Sequence, residues 1–123
     1  MTAGFGRIYL FDLMLLGLGE DSHIASIFPG GELIDAHGTP RSAGGRAAAV
    51  WAPHLRAWRI TLTPDTLLDS ETIVVLVAGA NKAQAVHAVL RQTRDVRTYP
   101  AQLLRAAEDR VEWFVDRAAA SRL

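Results

Sequence analysis

Cysteine is absent from this 123-residue sequence, which excludes disulfides, thiolate nucleophiles and cysteine-ligated zinc. Charge of one sign is also missing: 13 Lys and Arg balance 13 Asp and Glu. No net field draws the chain toward nucleic acid or an anionic membrane, and no basic run is interleaved with aromatics. Long hydrophobic runs are lacking as well. The segment Ile8 to Leu16 is interrupted by Asp12, is too short to span a bilayer, and is followed by no small-x-small cleavage site. It reads as a strand buried on both faces and ending at Gly17, rather than as a leader peptide. Neither nucleic acid nor membrane is an expected partner, and the cytoplasm is the expected compartment.

What is present suits one α/β domain over residues 1–123. Half of the residues are hydrophobic and 21% are charged, an ordinary globular balance. Apolar, β-branched runs predict strands over about 8–16, 47–52, 58–62 and 72–78, with a shorter alternating one at 111–115. An apolar stripe of Ala83, Val86, Val89 and Leu90 predicts a helix over about 81–92. Pro100 opens a second helix, 101–107, and a short one begins near Pro64. Residues 30–45, with five glycines and Pro40, predict a long irregular loop. Buried strands alternating with helices imply a mostly parallel sheet flanked by helices, in a partial Rossmann-like arrangement. Such sheets bind ligands beyond the carboxyl ends of their strands. The loop from Gly17 to His23 and the turn from Gly79 to Lys82 both fall there, as candidates for one shared site.

The first of these segments is Gly17-Leu18-Gly19-Glu20-Asp21-Ser22-His23. Glycines after a buried strand let the chain turn sharply and bring backbone N–H groups near a ligand. Asp21 and His23, two apart, can share a side, and a carboxylate beside an imidazole fixes its tautomer for general-base work. The alternative is a loop in which His23 only caps or fills. Gly17-x-Gly19-x-x-Ser22 lacks the third glycine of a dinucleotide fingerprint, and adjacent Asp21, Ser22 and His23 cannot form a triad among themselves. In Gly79-Ala80-Asn81-Lys82, N–H groups at a helix start plus an ammonium could hold a phosphate; a solvated lysine is the alternative. His37, His54 and His87 lack partners at metal-ligand spacing, so no metal site is expected. Trp51, Trp58 and Trp113 read as core or interface anchors. Arg46, Arg56 and Arg59 could line an anionic pocket.

Phe11 to Gly30, carrying Gly17-Leu18-Gly19-Glu20-Asp21-Ser22-His23 and Ser26-Ile27-Phe28-Pro29, resembles the signature of the 6-phosphogluconolactonase family, within the glucosamine-6-phosphate isomerase/6-phosphogluconolactonase (NagB-like) superfamily. Arg59-Ile60-Thr61-Leu62-Thr63 and Val77-Ala78-Gly79-Ala80-Asn81-Lys82-Ala83 are similar to its next blocks, in order, and Trp113-Phe114-Val115-Asp116 to its ending. The resemblance covers nearly the whole chain and corresponds to the C-terminal half of the family's proteins. It implies hydrolysis of 6-phosphogluconolactone, a step of the pentose phosphate pathway, without metal or organic cofactor. His23 would be the general base and Asp21 its support. Gly17 and Gly19 would shape the substrate loop, and Lys82, with Arg59, would hold the phosphate. The related glucosamine-6-phosphate deaminase/isomerases usually carry Asn-Glu-Pro where this chain has Ser26-Ile27-Phe28-Pro29. Ser22 stands where the family usually has glycine. If that position is left-handed, serine costs about 1–2 kcal/mol. The family's N-terminal phosphate loop is not found, which allows a second expectation, a sugar-phosphate-binding or oligomerisation module without turnover. It also leads to the expectation that the chain self-associates, or binds a partner, over an uncovered apolar surface.

Overall fold

The structure is a computed structural model and describes residues 7–41 and 44–123. In chain order its elements are β1 (Phe11–Leu16), β2 (Ala47–Ala52), β3 (Ala57–Leu62), α1 (Pro64–Leu68), β4 (Ser70–Val77), α2 (Ala83–Arg91) and β5 (Val111–Val115). Two 3₁₀ segments, Ala80–Lys82 and Pro100–Arg110, precede α2 and β5. The chain is α/β. Its main sheet has three parallel strands with β4 in the centre, β1 on one side and β5 on the other.

Two predicted strands do not join this sheet. β2 and β3 pair with each other as an antiparallel hairpin, Trp51 opposite Trp58. Only Pro53 to Arg56 separates them, far short of what a parallel crossover needs. Arg56 takes φ +50 in that turn. The helices predicted from periodicity are present with shifted ends. The segment after Pro100 is 3₁₀ rather than α, broken at Ala107 (φ −126, ψ 28). The long loop runs irregularly, tied by an isolated bridge between Ile34 and Pro40, and buries Leu33 and Ile34.

The strands are not buried on both faces. In a parallel sheet, residues in register share a face. Leu16, Ile73, Val75 and Val77 lie on one face and are buried, packed with Ala85, Val86 and Val89 of α2 and with Leu103 and Leu104 of the following 3₁₀ segment. The other face carries Leu13, Leu15, Leu76 and Phe114, exposed by 53%, 60%, 53% and 55%. Nothing among the described residues covers it. The hairpin behaves likewise: Val50, Ala52 and Thr61 face the core, while Trp51, Trp58 and Ile60 are exposed. Trp51 and Trp58 meet edge to face at 5.6 Å on the outer side, so they anchor no core here, whereas Trp113 packs against it.

Candidate active site at the strand ends

β1 ends at Leu16, and its last residues pair with Val74 and Val75 of β4. Both strands therefore deliver their following loops to the same end of the sheet. The loop after β1 closes on itself: the Ser22 N–H donates to the Gly19 carbonyl and the Gly19 N–H to the His23 carbonyl, each at 2.9 Å. To close that loop Ser22 adopts φ +68, the left-handed conformation that favours glycine, with its side chain buried. Its carbonyl accepts the Ala101 N–H at 2.8 Å, which fastens the loop to the start of the 3₁₀ segment before β5.

Asp21 and His23 come together on this loop. His23 Nδ1 lies 2.5 Å from Asp21 Oδ1, which also accepts the His23 backbone N–H at 3.1 Å. Burial pushes the Asp21 carboxyl upward; the bonds from the His23 ring and backbone outweigh this and hold it below the ordinary carboxylate value. With Nδ1 donating to Asp21, Nε2 keeps its lone pair, and no group among the described residues bonds to it. Phe28 packs a tilted ring 4.9 Å from His23, and His54 packs edge-on against Phe28 at 4.8 Å. The second contact does not follow from sequence spacing, because His54 arrives on the hairpin turn. Gly19 is required by this arrangement: a Cβ there would overlap the His23 ring.

From the second loop, Lys82 Nζ donates to the Leu18 carbonyl at 2.5 Å, so the two loops touch directly. Lys82 is the only lysine in the sequence. It lines, with Gly17, Leu18, Gly19, His23 and Ala25, an open cleft of about 370 Å³. Of the residues singled out from sequence, Gly17, Gly19, His23 and Lys82 thus share one cleft, and Asp21 stands behind His23. Arg59 does not line it; it is exposed on β3, opposite Val50. The N–H of Gly79 is not free for an anion, being bonded to the Asp116 carboxylate. Among the described residues no group of three or more His, Asp or Glu could hold a metal ion, and no helix is long and apolar enough to cross a membrane.

The cleft at the strand ends of this α/β sheet thus combines a histidine–carboxylate pair with a lysine, and comparison with known proteins shows the family to which the chain belongs. The chain belongs to the family described as glucosamine-6-phosphate isomerases/6-phosphogluconolactonase, which it matches over residues 2–113. It is 38% identical over 123 residues to 6-phosphogluconolactonase 3, chloroplastic, of Arabidopsis thaliana, covering 99% of this chain and 34% of that protein. It is 32% identical over 118 residues to the 6-phosphogluconolactonase of Synechocystis, covering 96% of this chain and 45% of the other. Among solved structures, 6-phosphogluconolactonase from Trypanosoma brucei superposes with a TM-score of 0.74 at 32% identity, over 92% of this chain and 42% of that one. A monomeric glucosamine-6-phosphate deaminase of the NagB superfamily superposes at 0.70 with 26% identity, over 91% and 48%. The chain therefore spans a third to under half of the length of these relatives.

Proposed function

We propose that this chain carries the general-base and phosphate-gripping part of a 6-phosphogluconolactonase and hydrolyses 6-phosphogluconolactone to 6-phosphogluconate. The observation that carries this is the shared cleft: the free Nε2 side of an aspartate-held imidazole and the ammonium of the sequence's single lysine open into the same space. His23 Nε2 takes a proton from water as its oxygen attacks the lactone carbonyl carbon. The tetrahedral oxyanion collapses, the ring C–O bond breaks, and the proton passes from the imidazolium to the departing ring oxygen. Asp21 holds the ring and offsets its transient positive charge. Lys82 grips the phosphate; Arg59, exposed and outside the cleft, has the lesser part. No cofactor takes part, and a cytoplasmic setting belongs to the same proposal.

Lactone hydrolysis measured above the spontaneous rate tests this. The wild type should exceed background, and His23→Ala should lose about 10²–10⁴-fold of the enhancement. A wild type at background would refute catalysis by this chain. The second reading, a sugar-phosphate-binding module that self-associates through the bare sheet face, is favoured by the exposure of Leu13, Leu15, Leu76 and Phe114. It predicts that 6-phosphogluconate binds without turnover and that sedimentation shows a concentration-dependent oligomer.

A further inference from the structure

The carboxyl ends of all three parallel strands meet beside the cleft, and one carboxylate fastens two of them together. Asp116 is the first residue after β5. Both of its oxygens accept the Gly79 backbone N–H, at 3.2 and 3.1 Å, and Oδ1 also accepts the Ala119 N–H at 2.8 Å. The Asp116 N–H donates in turn to the Val77 carbonyl at 3.2 Å. The chain after β5 is thereby attached on both sides of Ala78, where β4 gives way to the turn that carries Lys82. The Lys82 N–H closes that turn on the Gly79 carbonyl at 3.1 Å, and its Nζ reaches Leu18 beyond β1.

We propose that Asp116 is a positioning residue for phosphate recognition: by holding the Gly79 N–H it fixes the turn that aims the Lys82 ammonium into the cleft. Gly79 sits at φ +102, ψ 148, a conformation that glycine reaches but does not prefer over others. The turn's own backbone supplies one closing bond, from the Lys82 N–H to the Gly79 carbonyl, and the Asp116 carboxylate supplies the other hold from outside. A charged acceptor serves better than a neutral one, because hydrogen bonds to an ionised group are the stronger kind. The same bond removes the Gly79 N–H as an anion donor, so the grip on a phosphate falls to the lysine whose placement Asp116 controls.

This deepens the lactonase proposal and rests on it for the identity of the ligand alone. The test uses the full chain as wild type, Asp116→Ala and Asp116→Asn, with the unfolding midpoint of each recorded. Two quantities are read: 6-phosphogluconate affinity by NMR titration, and the rate of reductive methylation of Lys82, the only lysine in the sequence, followed on its own proteolytic peptide so that the N-terminal amine does not contribute. Asp116→Ala should weaken 6-phosphogluconate by about tenfold and speed Lys82 methylation in the free protein. Asp116→Asn keeps one acceptor oxygen but no charge and should fall between, at about threefold. Wild-type methylation rates in the folded variants would overturn the proposal whatever the ligand does; if Asp116→Ala does not fold, wild-type values in Asp116→Asn overturn it equally. A wild type that ignores 6-phosphogluconate would refute the lactonase proposal instead, and the methylation rates would then decide the placement of Lys82 by themselves.

Discussion

Replacing Gly19 with alanine should separate the fold from the chemistry. The added Cβ would fall on the His23 imidazole, at its Nδ1 and Cε1, and close to Asp21 Oδ1. Gly19 is not in the left-handed region, so alanine carries no backbone penalty there and the clash must be relieved by moving the ring. Moving it breaks the 2.5 Å contact with Asp21. A hydrogen bond to a charged group contributes about 1.5–3 kcal/mol, an upper figure here because both side chains are partly exposed. The stability loss should therefore stay at or below about 2 kcal/mol, measured by urea denaturation. Activity should suffer far more, because a misdirected general base forfeits about 10²–10⁴-fold. Long-range ¹H–¹⁵N correlation of the His23 ring supplies an assay independent of turnover: the wild type should carry its proton on Nδ1, and the variant should show mixed tautomers. Gly17→Ala is the control, since a Cβ there meets no atom within 4 Å and should leave the His23 tautomer unchanged. A Gly19→Ala protein with wild-type lactone hydrolysis and an intact Nδ1 proton would refute the reasoning.

Ser22→Gly should relieve the φ +68 strain, of about 1–2 kcal/mol, against the about 0.5–1 kcal/mol that glycine loses in chain entropy, so a small gain in unfolding free energy is expected and a loss above about 1 kcal/mol would contradict it. Leu15→Glu on the bare sheet face should weaken any self-association by at least about tenfold in sedimentation while leaving secondary structure intact, because the change adds a charge where apolar area would be buried. Asp21, Asp35 and Asp95 all have folded carboxyl values below the ordinary 3.8. Hydrogen bonds from the Thr39 and His37 N–H groups lower Asp35, and bonds from Thr98 lower Asp95. The unfolded chain then binds more protons, so their stabilisation is present above about pH 3.8 and is lost as pH falls through the lower folded values. Asp35→Asn should flatten the acid limb of a stability–pH curve and leave the curve near neutrality closer to its original slope.

Much of the site was legible in the order of residues. Asp21 and His23 are two apart on a loop that a glycine pair bends, and their pairing needs only local geometry. A β-branched run closed by Gly79 announced β4, and the expectation of parallel neighbours followed from strands alternating with helices. Helix ends were less legible: Ala80–Lys82 is a single 3₁₀ turn running straight into α2, and Pro100–Arg110 buries apolar residues at spacings that an α-helix also shows. The hairpin was missed because Ala47 to Leu62 reads as two apolar runs, and apolar runs do not say which strand they pair with. His54 against Phe28, and Asp116 beside Gly79, were missed for a related reason: the partners lie 26 and 37 residues apart in the chain.

What the sequence alone determined is the local chemistry: the α/β class, the aspartate–histidine loop, the glycines that bend it, and a single lysine at a strand end. Only the tertiary structure decided that the β1 and β4 loops open into one cleft, that Arg59 stands outside it, and that one face of the sheet is bare. Spacing along the chain constrains neighbours within a turn or a loop. Strand order and the covering of faces depend on which distant surfaces bury each other, and no run of residues specifies that by itself.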